Sequence, residues 1–324
     1  MIRQKIRSAT RQSLSDSERQ VIDTTLERAS LGQVPQLQDE ALSDLSRTAQ
    51  EYLRGCWSSI PADARHRLVT EMVTTAENDV HRTYDRALLV AIDDSEPEIR
   101  AAALDGLGER LSVDVLAGVA AHARRDDSPA VRERAVLALG PFILAGEMGD
   151  IDEDDAAEAR QIALRLFDDV NQPTRVRRRA LEAVGWCARD TSIIDRIRDA
   201  YTGNDVRLKA SALHAMGRQH TLVWLPVLHH AFQSKHAELR YEAAHATGLI
   251  GDERSVPELI DLLGDRDREV QMSAIAALGA IGGTMAIQSL RNIAADEDHP
   301  ALADAAEAAL DEALTMSTPL RPYL

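Results

Sequence analysis

Apolar residues recur along this chain at helical spacing, and from Ile99 onward they do so inside one repeated phrase. The phrase is an apolar residue, a long and usually basic residue, then an Ala-rich run closed by Gly. Its copies read IRAAALDGLG from Ile99, VRERAVLALG from Val131, VRRRALEAVG from Val176, LKASALHAMG from Leu208, LRYEAAHATG from Leu239 and VQMSAIAALG from Val270. A seventh, LADAAEAALD from Leu302, lacks the Gly. Successive starts lie 32, 45, 32, 31, 31 and 32 residues apart, so a single irregular step interrupts an otherwise even period.

Within each copy the first residue and those four, five and eight positions later share one helical face, as Val131, Ala135, Val136 and Leu139 do. That face is the expected core. The small fifth residue (Ala103, Ala135, Ala180, Ala212, Ala243, Ala274) predicts close approach of neighbouring helices, and the terminal Gly predicts a left-handed turn at the helix end. Polar residues ahead of the copies, Asp93 and Asp94, Asp126 and Asp127, Asn171, Asn204 and Asp265, are the expected N-caps, with Pro129 and Pro173 in first-turn positions. Between copies a second amphipathic segment recurs, such as VPELIDLL from Val256 and AIQSLRNI from Ala286. Two helices per period of roughly 31 residues predict an all-α fold, an α-solenoid of stacked antiparallel helix pairs.

The phrase, its period and the helix count resemble HEAT repeats, in particular the short, Ala-rich bacterial kind related to those of phycobilisome lyases. The resemblance covers residues 93 to 311. It implies a HEAT/armadillo-like superhelix with a concave binding face and says little about activity. A divergent pair at Asp39 to Leu53 and Pro61 to Glu77 is the expected N-terminal cap, and residues 299 to 314 the closing unit. Domain limits follow: residues 1–35 as a flexible or partly helical start, 36–316 as the solenoid, 317–324 as a disordered tail.

Composition narrows the picture. With 44% apolar but 3% aromatic residues, the core is built of Ala, Leu, Val and Ile. Fifty-three acidic residues oppose 37 basic ones for a net charge of −16, which disfavours nucleic acid as a partner. No apolar run has the roughly 18 residues of a membrane span. The opening MIRQKIRSATRQSL is basic, without an acidic residue before Asp16; it reads as a flexible tail, an organelle transit peptide being the alternative. Cys56 and Cys187 form no paired motif and fit a reducing, cytoplasmic setting as inert thiols.

Solenoids bind along the face formed by the second helix of each pair, so the third, fourth and seventh phrase positions are the candidates. They nominate Arg134, Arg178, Arg179, Glu182, His214, Tyr241, Glu242, His245 and Met272 as a mixed polar and apolar groove for a protein or peptide. Arg175, Arg177, Arg178 and Arg179 make the densest basic cluster. The long basic residue at Arg100, Arg132, Arg177, Lys209 and Arg240 is expected to form a ladder with acidic groups of adjacent turns. Six of ten histidines fall between His214 and His245, and those two are equivalent in adjacent copies; no Cys or carboxylate is seen to complete a ligand set, so no metal or other cofactor is expected.

The irregular step contains GEMGDIDEDDAAE, residues 146–158, with seven acidic and no basic residues. Asp150, Asp152 and Asp154 match the start of a calcium loop, but Asp155 replaces the turn Gly and Gln161 the bidentate Glu. An acidic loop leading into a helix N-terminus is the reading. Trp186 and Trp224 are expected to fill gaps between layers. Nucleotide-binding, zinc-protease and nucleophile-elbow motifs are missing from the sequence. The expected function is therefore a non-catalytic interaction scaffold or regulatory adaptor. The alternatives are a bilin lyase-like protein, as the resemblance implies, with Tyr241, His214 and His245 near the chromophore, and a HEAT-like DNA glycosylase, which needs a basic groove.

Overall fold

The computed structural model describes residues 14–33, 41–79, 81–108, 110–296 and 298–317. Of the expected start, residues 1–13, 34 and 35 lie outside them, while 14–33 carry a helix; residues 36–40 of the expected solenoid and 318–324 of the expected tail also lie outside. Among the described residues there are seventeen α-helices and no strand. The chain forms two compact units, Met1–Phe142 and Ile143–Leu324, with the boundary one residue after Pro141 inside a helix.

In the first unit α1 (Asp16–Ser30) is followed by the pairs α2 (Arg47–Trp57) with α3 (Ala62–Asn78) and α4 (Asp85–Ala91) with α5 (Pro97–Leu107), then α6 (Val113–Arg125) and most of α7 (Pro129–Met148). The start of α1 is fixed by a capping box, Ser15 Oγ accepting from Glu18 N while the Glu18 carboxylate accepts from Ser15 N. The second unit continues with α8 (Glu153–Asp168) and α9 (Thr174–Val184), α10 (Thr191–Thr202) and α11 (Val206–Arg218), α12 (Leu225–Ala231) and α13 (Ala237–Ile250), α14 (Val256–Asp261) and α15 (Arg268–Ile281), and α16 (Gly283–Ala294) and α17 (Pro300–Ser317). Here α9, α11, α13, α15 and α17 pack successively into one layer, each backed by the first helix of its own pair. Each unit is thus α-solenoid packing of the kind the period predicts.

The core register holds throughout. All four expected core positions are buried in all six complete copies, from Ile99, Ala103, Leu104 and Leu107 to Val270, Ala274, Ile275 and Leu278. The polar exception, Thr247, satisfies its hydroxyl by donating to Ala243 O at 2.7 Å.

The phrase-ending glycines do not make the expected left-handed turns. Gly185 closes α9 at φ −55°, and Gly217, Gly248 and Gly279 lie inside helices. Their missing side chain serves packing instead: a Cβ on Gly217 would lie 2.7 Å from Ala246 Cα, one on Gly248 2.8 Å from Ala277 Cα, and one on Gly279 3.0 Å from Ala309 Cα. Each partner is the eighth residue of the next copy. The chain turns later, at Gly251 (φ 75°) and Gly282 (φ 68°).

Asp94, Asp126 and Asp265 are not the N-caps the sequence suggested. Each carboxylate accepts from the backbone N–H two residues on, at 2.9, 2.8 and 2.8 Å, and receives the arginine of the preceding repeat. Arg65, Arg100 and Arg240 each donate twice to them, at 2.7 and 3.0 Å, 2.8 and 2.8 Å, and 2.6 and 2.7 Å. The same arginines also donate to carbonyls of their own turn, Ile60 O, Asp94 O and Ser234 O. The ladder is therefore real at Arg100 and Arg240 and begins earlier than the phrase, at Arg65. Arg132 donates to Asp126 O at 2.6 Å, and Arg177 to Phe167 O at 2.9 Å while standing 5.4 Å over the Phe167 ring.

Hydrogen bonds from Arg240 hold the Asp265 carboxyl below its usual pKa. A folded-state pKa below the unfolded value contributes stability that is present above about pH 4 and lost as pH falls through the folded value. Acid unfolding of the second unit is accordingly expected to be steeper in the wild type than in an Arg240→Met/Asp265→Leu double variant, as melting temperatures across the acid range would show.

Candidate functional site

The third, fourth and seventh phrase positions of α9, α11, α13 and α15 line one side of the second unit's helix layer. Arg178 of α9 donates to Ser211 Oγ of α11 at 3.0 Å and to Glu238 Oε1 of α13 at 3.2 Å. Arg178 thus reaches across α11 to the next helix but one, which places its position and those of Ser211 and Glu238 on one face of the layer. Arg179 donates to Glu182 Oε2 at 2.7 Å, and His214 Nδ1 lies 3.3 Å from Glu242 Oε2. Tyr241 is exposed, Met272 half-buried beside it in register, and Ser273 Oγ donates to Tyr241 O at 3.0 Å.

Two nominated residues belong elsewhere. Glu182 is not an exposed groove residue but buried, with 5% of its surface accessible, and accepts from Ser211 Oγ at 2.6 Å as well as from Arg179. Burial opposes its charge, yet those donors outweigh it and hold the carboxyl below the usual range. Arg134 is exposed on α7 in the first unit, 3.5 Å from Asp105. The basic cluster is likewise less available than it looked, because Arg178 and Arg179 are each engaged by a carboxylate.

The absence of a carboxylate beside the two histidines, inferred from sequence, does not hold. His214 and His245 stack with ring centroids 5.6 Å apart at 25°, and Glu242 joins them. Burial, reinforced by His214, lowers the pKa of the His245 imidazole. Sequence reasoning also missed Glu238, the partner of Arg178, and Arg218, which donates to Glu182 O at 2.7 Å and stands 4.8 Å over the Trp186 ring. Arg218 follows the phrase, where the other copies carry unrelated residues, so alignment gave no signal.

Trp224 is buried as expected and donates from its indole to Gln219 Oε1 at 2.6 Å; Trp186 is half-buried under Arg218. The acidic stretch 146–158 is mostly not a loop. α7 runs to Met148 and α8 starts at Glu153, with Asp152 capping it by accepting from Asp154 N at 2.9 Å and Glu153, Asp154 and Asp155 in its first turn. The extra residues of the irregular step thus lengthen two helices.

Cys187 is buried, and burial together with Glu147 pushes its thiol up to about 12, whereas Cys56 is half-exposed. A thiol-reactive dye is expected to modify Cys56 in the folded protein and Cys187 only after denaturation, which the two cysteine peptides would report by mass.

Residues 225–311 match the family model described as HEAT repeats. This segment is built of HEAT repeats. It reaches from α12 into α17, the part of the second unit's helix layer that carries Tyr241, Glu242, His245 and Met272. No curated protein matches the sequence. Among solved structures, a chain of the Kap95:Nup1 complex is 12% identical over 94% of this chain and 49% of its own, with a TM-score of 0.50. Human deoxyhypusine hydroxylase in complex with glycerol is 17% identical over 92% and 98% of the two chains at 0.35, and Escherichia coli YibA 14% over 75% and 95% at 0.46. The first shares the α-solenoid fold; the other two add nothing to that. Among the described residues no helix is long and apolar enough to cross a membrane.

Proposed function

We propose that this chain is a cytoplasmic, non-catalytic interaction scaffold or regulatory adaptor that holds a protein or peptide on this face of the second unit's helix layer. The observation that carries this reading is Tyr241: an aromatic side chain 36% exposed on this layer, flanked in register by the half-buried Met272 and by the Arg178–Glu238 pair. Tyrosine and arginine on a preformed surface are favoured anchors, and a stacked layer offers them with little ordering cost. The glycosylase alternative needs unneutralised basic charge here, and Glu238 and Glu182 offset Arg178 and Arg179.

Affinity capture from native lysate with wild type, Tyr241→Ala and Arg178→Glu tests the placement. A partner held by wild type and lost from Tyr241→Ala, with the circular dichroism of the two proteins alike, is the expected result. A partner retained equally by all three removes the binding site from this face.

A further inference from the structure

His214 on α11 and Glu242 and His245 on α13 offer three ligand atoms that all lie within 4.8 Å of one another. Among the described residues this is the one His, Cys, Asp or Glu trio so placed. Backbone packing produces it: Gly217 lets α11 approach α13 at Ala246, one residue beyond His245. The three-residue spacing then puts Glu242 and His245 on the same helical face, toward His214. His214 already has Nδ1 3.3 Å from Glu242 Oε2. Among the described residues no hydrogen bond reaches a ring nitrogen of His245.

We propose that His214, Glu242 and His245 form a binding site for one zinc-class divalent cation. Two imidazoles and a carboxylate are the N,N,O donor set that suits zinc and its transition-metal neighbours, whereas magnesium and calcium call for oxygen donors. Ligand atoms bound at roughly 2.0–2.1 Å to a tetrahedral ion sit about 3.3 Å apart, so the trio needs to close by about 1.5 Å at most, within the reach of side-chain rotation. All three residues are half-buried, which leaves a path for the ion and a fourth position open to water or to a donor from a partner.

The surroundings hold the site in place. Glu182 of α9, held by Ser211 and Arg179, is close enough to His214 for their charges to interact, and Arg218, whose charge is felt at His245, is engaged by the Glu182 carbonyl and the Trp186 ring. Glu182 and Glu242 offset Arg179 and Arg218, so an entering dication meets no net positive charge from these four.

Titration calorimetry of the full chain with zinc chloride reads the proposal, and cobalt chloride gives a visible spectrum of the bound ion. One zinc per chain is expected, with affinity falling at least about tenfold in His245→Asn and in Glu242→Gln and unchanged in His229→Asn, a histidine on α12 outside the trio. Magnesium and calcium are expected to leave the zinc isotherm unchanged. Absence of saturable zinc binding, or an isotherm that His245→Asn and Glu242→Gln leave as in wild type, overturns it. Glu242→Gln keeps the side-chain volume and carries the test alone if the histidine variant does not fold. Zinc binding and partner capture stand or fall separately, since the first is read with the ion alone.

Discussion

Replacing Asp94 by alanine is expected to destabilise the first unit by about 3–5 kcal/mol, because it strands a buried arginine. Asp94 is 5% exposed and Arg65 7%. One carboxylate oxygen accepts from Trp57 Nε1 at 2.6 Å and Arg65 Nε at 2.7 Å, the other from Arg65 Nη2 at 3.0 Å and Glu96 N at 2.9 Å. With the Ser95 hydroxyl, which also donates to the second oxygen at 3.4 Å, truncation removes five acceptor contacts and leaves a guanidinium and an indole N–H without theirs. The cost follows from the orphaned charge, not from the worth of the pair, so an Arg65→Met/Asp94→Leu double variant should recover most of the loss. In a repeat array unfolding need not be all-or-none, and the readout is therefore local: hydrogen exchange of the α3 and α5 amides. Protection in Asp94→Ala within about 1 kcal/mol of wild type would show that Arg65 finds another partner.

Gly248→Ala is expected to cost about 1–3 kcal/mol in the second unit, against the helix propensity of alanine. Alanine in a helix interior is ordinarily better than glycine by roughly 0.8–1 kcal/mol. At Gly248, however, the new methyl would sit 2.8 Å from Ala277 Cα and 2.9 Å from Ala277 Cβ, and backbone cannot step aside as a flexible side chain can. Gly55 in α2 is the counterexample: exposed, with nothing within 4 Å of an added Cβ, so Gly55→Ala is expected to stabilise. Opposite signs for the same substitution in two helices would establish interhelical contact as the cause; a stabilising Gly248→Ala would refute it. Exchange of the α13 and α15 amides and of the α2 amides reads the two cases.

These two variants bear on how far the sequence could be read. The four core positions of each of the six phrases follow from periodicity alone, because their burial is a matter of angular phase and the apolar residues declare it; Ala210, Ser211, Ala246 and Ala277, off that face, are buried only because the next helix packs over them. Gly and Asp were visible at their repeated positions too, but their roles were misread. A terminal Gly and a pre-helical Asp are ordinary turn and cap residues, and nothing within one repeat distinguishes Gly248 at a helix end from Gly248 against Ala277. That contact joins residues 29 positions apart in different helices. Likewise Glu182 shares its phrase position with the half-buried His214 and His245, and only Ser211 and Arg179 closing over it make it a buried acceptor.

Within the repeated phrases, then, the sequence by itself determined the helices, the core face and the row from which Arg178, Tyr241 and Met272 project, since each depends on local phase and repeat period; upstream, where no phrase recurs, the helix expected from Asp39 to Leu53 is instead Arg47–Trp57. The tertiary structure alone decided which members of that row are spent on one another and which are available, because charge pairing and ligand convergence depend on distances between neighbouring helices. His214, Glu242 and His245 show the difference most directly. They lie 28 and 31 residues apart along the chain, yet a glycine that lets two backbones touch brings their donor atoms within 4.8 Å.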